Sequence, residues 1–147
     1  MRAARSANVP SSAICDASVA VRWLVDDPLS APAIRARDRY DLIAPWLLMS
    51  ETANALRNYV KAGVLPLELA RRHLMGLPGQ IELRGEEKLM PLALRLAVER
   101  DHAAYDCVYV AMALTLEAPL VTADARMARK FADLPGVDIQ TLQDWEP

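Results

Sequence analysis

Soft metal ligands, aromatic rings and long apolar runs are all scarce in this chain of 147 residues, which has two cysteines, two histidines and 5% aromatic residues. Each scarcity excludes something. No apolar run approaches the ~18 residues that a membrane-spanning helix requires; the stretch Val108 to Leu114 is far too short. The opening MRAARSANVPSSA carries Arg2 and Arg5 with no apolar core behind them, so a signal peptide is not expected. Cys15 and Cys107 each lie within an apolar run, which predicts buried thiols in a reducing cytoplasm rather than a disulfide. His73 and His102 have no partner at zinc-site spacing, so neither a zinc site nor a histidine dyad is predicted, and both read as exposed loop or helix residues. Trp23, Trp46 and Trp145 are too scattered to form a base-stacking platform.

Charge is nearly balanced, with 17 Lys and Arg against 19 Asp and Glu, a formal net charge of −2. That excludes a surface that is basic all over, but not a nucleic-acid enzyme, whose local charge decides binding. With 53% hydrophobic residues, the chain can fold by burial. A single domain of this length hides roughly two-thirds of its unfolded surface. The expected organisation is a polar tail over 1–12, closed by Pro10, Ser11 and Ser12, followed by one domain over 13–147.

Within that domain short apolar runs alternate with helical stretches. Ala13-Ile14-Cys15, Leu42-Ile43-Ala44, Ile81 to Leu83, Pro119 to Val121 and Val137 to Ile139 read as strands. Between them, Ser18 is expected to cap a helix running toward Asp27-Pro28, and Pro45 to open a long helix that Gly63 ends. Further helices are expected over Ala31 to Tyr40, Pro66 to Met75, Pro91 to Arg100, Tyr105 to Glu117 and Asp124 to Ala132. Strands alternating with helices predict an α/β fold, a single three-layer α/β/α domain around a short parallel sheet.

In such a sheet ligands gather beyond the carboxyl ends of the strands. Asp16 directly follows the first strand, and Asp124 follows Val121 at the head of a helix, so both fall on that edge. Asp106 lies in the first turn of an apolar helix, and Glu51 within the helix after Pro45. Taken singly, each aspartate could be a helix cap and Glu51 a solvated helix residue. Taken together, converging carboxylates would repel one another unless a cation neutralised them. Hard divalent ions such as Mg²⁺ or Mn²⁺ suit an all-oxygen set, and such a centre hydrolyses phosphodiesters.

Four segments carry a resemblance: Ile14-Cys15-Asp16-Ala17-Ser18-Val19; Ala44-Pro45 through Ser50-Glu51-Thr52-Ala53-Asn54-Ala55-Leu56; Tyr105-Asp106-Cys107-Val108-Tyr109-Val110-Ala111-Met112-Ala113; and Leu120-Val121-Thr122-Ala123-Asp124 with Ala125-Arg126-Met127. In this order and spacing the chain resembles a PIN domain, specifically the VapC toxins of toxin–antitoxin pairs, from about Ala13 to Leu142. The resemblance implies a Mg²⁺- or Mn²⁺-dependent endoribonuclease with Asp16, Glu51, Asp106 and Asp124 as metal ligands. Ser18, Asn54 and Thr122 match supporting positions. It further implies a cellular RNA substrate, a small cognate antitoxin and a homodimer. Cys15 departs from the aliphatic residue usual before the first acid. Arg22 and Arg126, close to the first and fourth acids, are candidates for phosphate contacts. Two other readings stay open: a PIN-like module that binds RNA or a partner without cutting, and another phosphoryl-transfer enzyme, although Ala17-Ser18 after Asp16 disfavours the latter. A DNA-directed nuclease also stays open.

Overall fold

The structure, a computed structural model, describes residues 12–145. Of the expected polar tail only Ser12 is among them, and it opens the first strand rather than closing the tail. Among these residues are five strands, β1 (Ser12–Cys15), β2 (Asp41–Pro45), β3 (Glu82–Arg84), β4 (Leu120–Thr122) and β5 (Ile139–Thr141). They form one sheet in the order β3-β2-β1-β4-β5, with every pairing parallel. The central strand registers Ile14 against Ile43 on one side and against Leu120 on the other. Ala13, Ile14 and Cys15 are wholly buried, as a strand covered on both faces must be.

Among the described residues seven α-helices connect the strands: α1 (Ala17–Ala20), α2 (Ser30–Arg39), α3 (Leu47–Lys61), α4 (Leu67–Gly76), α5 (Met90–Arg100), α6 (Ala104–Leu116) and α7 (Ala125–Lys130). From β1 the chain steps to β2 and then β3 in one direction; from β3 it jumps across to β4 and continues to β5 in the other. Right-handed crossovers therefore put α1–α4 over one face and α5–α7 over the other. This is the expected three-layer α/β/α arrangement.

Local chemistry explains several boundaries. Cys107 through Ala113 are all buried, so α6 has no polar face within that stretch and serves as the central core helix. Buried Leu48, Thr52 and Leu56 instead recur at intervals of four on α3, marking a helix with one apolar side. Its end is closed by Gly63 at φ 73°, where the Val64 amide donates to the Tyr59 carbonyl and the Gly63 amide to the Val60 carbonyl, the paired bonds of a Schellman motif.

Two expectations are corrected. Pro45 does not open α3; it ends β2 and pairs with Arg84 of β3, and the helix begins after Trp46. The pairing suits an extended φ, and proline's missing amide cannot be used inside a helix either. Ser18 does not cap α1 but lies inside it; the chain turns helical directly after Asp16 and tightens at Val21–Trp23 into a single 3₁₀ turn.

Candidate active site

Connections from β1 and β4 leave in opposite directions, so the crevice between these neighbouring strands is the switch point of the sheet. Asp16 stands one residue beyond β1 and Asp124 two beyond β4. Thr122, the last residue of β4, joins them. Its hydroxyl donates to Asp16 Oδ2 at 2.6 Å and accepts from the Asp124 amide at 3.0 Å. Ser18 does the same work from α1, donating to Asp16 Oδ1 at 2.5 Å and accepting from the Ala123 amide at 2.8 Å. Both Asp16 oxygens are thus held, and the carboxyl is 7% exposed. Asp16 stands at the N-cap position of α1 without a full capping bond from its side chain, although the Val19 amide favours its charged form. Asp124 does cap α7: its Oδ1 accepts from the amides of Arg126 and Met127.

Glu51 and Asp106 arrive from helices in different layers. Asp106 sits in the first turn of α6, and Tyr109, three residues on, shares its side of the helix. The buried Tyr109 hydroxyl donates to Glu51 Oε1 at 2.5 Å, tying α6 to α3. Glu51 is therefore not a freely solvated helix residue. The link between α5 and α6 is only Asp101 to Ala103, with Asp101 left-handed at φ 49°. That tight turn folds His102 back onto Asp106, with Nε2 at 2.8 Å from Oδ2. The His102 side chain is 7% exposed and packs edge-on against Phe131. It is not the exposed residue that its sequence context predicts.

A shared pattern emerges. In Glu51, Asp106 and Asp124 one carboxylate oxygen is occupied by a protein donor, and the other has no hydrogen-bond partner among the described residues. The charges also act on one another. Burial first, and repulsion from Asp124, raise the Asp16 carboxyl to about 6 despite the bonds from Ser18 and Thr122. Glu51 rises to about 7, chiefly by burial and further by Asp106 and Asp16. Asp106 is raised by burial and by Asp124, opposed by His102 and Arg126. The repulsions close a ring: Asp16 with Asp124, Asp124 with Asp106, Asp106 with Glu51, Glu51 with Asp16. Such a ring stores an unfavourable energy that a cation would relieve.

Among the described residues no three His, Cys, Asp or Glu side chains close into a compact ligand set. The donor chemistry still fits Mg²⁺ or Mn²⁺, because Mg²⁺ retains several waters and takes only one or two carboxylates directly. A soft, sulfur-seeking metal does not fit, since both thiols are buried in the core. Desolvation pushes Cys15 well above its usual range and Cys107 up to about 11, so neither is a nucleophile.

The remaining predicted residues separate. Arg126 lies on α7 close enough to favour the charged form of Asp106. Arg22 is already engaged, with Nε on Asp27 at 3.0 Å and a terminal nitrogen on the Ser18 carbonyl at 2.5 Å. Asn54 lies exposed on the wall of a cleft of about 750 Å³ whose lining includes Glu51 and Ser18. Sequence reasoning missed Tyr109 and His102 as partners of the acids. The spacing of His102 four residues before Asp106 was a usable signal; nothing in the sequence linked Tyr109 to Glu51, 58 residues away.

Comparison with known proteins agrees in family and fold. The PIN domain family model matches residues 13–132. Ribonuclease VapC1 of Mycobacterium tuberculosis is 32% identical over 116 residues, covering 78% of this chain and 87% of that protein. The crystal structure of PAE2754 from Pyrobaculum aerophilum superposes with a TM-score of 0.68 at 24% identity, over 92% of each chain. That of VapBC2 from Rickettsia felis, bound to a DNA fragment from their promoter, gives 0.64 at 13% identity over 92% of this chain and 99% of that one.

Proposed function

The chain belongs to the PIN domain family, among its VapC-type members, and from that premise we propose that it is a Mg²⁺- or Mn²⁺-dependent endoribonuclease that cuts cellular RNA as the toxin of a toxin–antitoxin pair. The observation that carries the proposal is that Thr122 joins Asp16 and Asp124 at the switch point while Tyr109 and His102 hold Glu51 and Asp106, three of these four carboxylates keeping an oxygen with no hydrogen-bond partner among the described residues. When bound there, the cation supplies Lewis acidity at the scissile phosphate and makes water a competent nucleophile near neutral pH.

The protein's own groups do the rest. Thr122 and Ser18 fix the orientation of Asp16. Tyr109 and His102 fix those of Glu51 and Asp106. Burial keeps the Tyr109 phenol protonated, so it remains a donor at any working pH. Arg126 sets a positive charge beside Asp106, where a phosphate oxygen can be received. Arg22 holds the α1 backbone in place rather than offering a free guanidinium.

A small cognate antitoxin and a homodimer complete the proposal; solved structures of the same fold include a toxin–antitoxin complex from Klebsiella pneumoniae. No helix among the described residues is long and apolar enough to cross a membrane, and we place the activity in the cytoplasm. The test is cleavage of end-labelled RNA by purified protein. Cutting should require Mg²⁺ or Mn²⁺, stop in EDTA, and vanish in Asp106→Asn with the fold intact by circular dichroism. Full activity of Asp106→Asn refutes the assignment. RNA binding with no cutting under any divalent ion favours the non-catalytic reading.

A further inference from the structure

The cleft that reaches Glu51 extends along α3 beyond that acid, and between the apolar Ala17, Val21, Leu47 and Ala55 its wall carries polar and aromatic groups. Glu51, Asn54 and Asn58 follow one another at i, i+3 and i+7 on α3, hence along one side of the helix. Tyr59 closes that side, and Tyr105, immediately before Asp106, faces it from α6 with 56% of its surface exposed. The Asn54 carboxamide has no hydrogen-bond partner among the described residues, and Asn58 makes only a 3.4 Å contact with Arg57. Among the described residues the one cation on the cleft wall is Arg22, and it is occupied by Asp27 and the Ser18 carbonyl.

A wall built to grip phosphates would present free Lys or Arg; this one sets two carboxamides and two phenol rings among small apolar side chains, a surface suited to the flat face and polar edge of a base. Carboxamides offer paired donor and acceptor groups that match base edges, and exposed aromatic rings stack on unpaired bases. We propose that this wall is a subsite for an unpaired nucleobase adjoining the scissile phosphate, with Tyr105 as the stacking residue and Asn54 and Asn58 as readers of the base edge. The inference rests on the nuclease reading of the acids. It adds which residues of this chain meet the base beside the cut.

The experiment is fluorescence anisotropy with six-nucleotide single-stranded RNAs, intact or carrying one abasic site walked along the chain. It is run both in EDTA and in Ca²⁺, so that it reads binding and not turnover. Loss of base stacking costs ~1–3 kcal/mol, which is roughly 5- to 150-fold in affinity. Tyr105→Ala should weaken binding of intact RNA within that range, and Tyr105→Phe should restore it. At one position the abasic RNA should bind wild type and Tyr105→Ala equally. Asn54→Ala and Asn58→Ala should change which base is preferred there. Equal binding of intact RNA by wild type and Tyr105→Ala overturns the proposal, as does no binding by wild type in either buffer. If Tyr105→Ala binds RNA normally but loses a cognate protein partner, the wall belongs to that partner instead. Wild type that binds as described yet cuts nothing in Mg²⁺ leaves the subsite standing and removes the nuclease reading.

Discussion

Replacing Asp16 with Asn should stabilise the metal-free protein at pH 8. The carboxyl is almost wholly buried and raised from 3.8 to about 6, mainly by desolvation, even though Ser18 and Thr122 donate to it. Its folded value therefore lies above its unfolded one, so the folded state binds more protons through this window. Stability from this group is complete below about pH 4 and is lost as pH rises through about 6. At 1.36 kcal/mol per pH unit, the loss reaches about 3 kcal/mol by pH 8 and only about 1 kcal/mol at pH 4.5. A neutral carboxamide avoids it and can still accept from one hydroxyl while donating to the other. Urea unfolding in EDTA at the two pH values reads the difference directly. Asp16→Asn should gain up to about 3 kcal/mol over wild type at pH 8, and the gain should shrink by roughly two-thirds at pH 4.5. Mg²⁺ at a hundred times the wild-type dissociation constant should narrow the gap, stabilising wild type by about 2.7 kcal/mol and a variant that binds at least tenfold more weakly by no more than about 1.4 kcal/mol. A variant less stable than wild type by the same amount at both pH values would refute the reasoning, since Asp16 would then be a structural anchor and not a desolvated charge.

Other consequences follow from the same contacts. Thr122→Val, nearly isosteric, removes the donor to Asp16 Oδ2 and strands the Asp124 amide; it should cost about 1.5–3 kcal/mol in urea unfolding at pH 8. His102→Ala frees Asp106 to rotate and should weaken Mn²⁺ binding roughly 10- to 100-fold, with His102→Gln recovering part of the loss because its amide can donate to the same oxygen. Gly63→Ala meets no neighbouring atom, so its cost is the left-handed backbone alone, about 1–2 kcal/mol by denaturant titration.

The parts of this molecule legible in its sequence are those written in local pattern. Alternating apolar runs and helical stretches marked all five strands to within one or two residues, and placing Asp16 and Asp124 past strands at one edge needed only the parallel topology. Pro45 misled because proline is as much at home at the end of a strand as in the first turn of a helix, and pairing with Arg84, almost forty residues on, decided between them. Ser18 has the look of a cap because hydroxyls favour helix starts; instead it donates to Asp16 and accepts from the Ala123 amide, 105 residues away. Tyr109 lies in an apolar stretch that the sequence marks only as a helix, and only the approach of α3 to α6 reveals its bond to Glu51. His102 seemed exposed because its neighbours are polar, whereas the left-handed turn at Asp101 folds it inward onto Phe131. What escaped the sequence was consistently which side chain meets which across elements.

The most direct test of a single divalent-cation centre is Mn²⁺ binding followed by electron paramagnetic resonance, in wild type and in Asp16→Asn, Glu51→Gln, Asp106→Asn and Asp124→Asn. Shared ownership of one ion predicts at least a tenfold loss of affinity in every variant, each still folded by circular dichroism. Wild-type affinity retained in any two of them would contradict it.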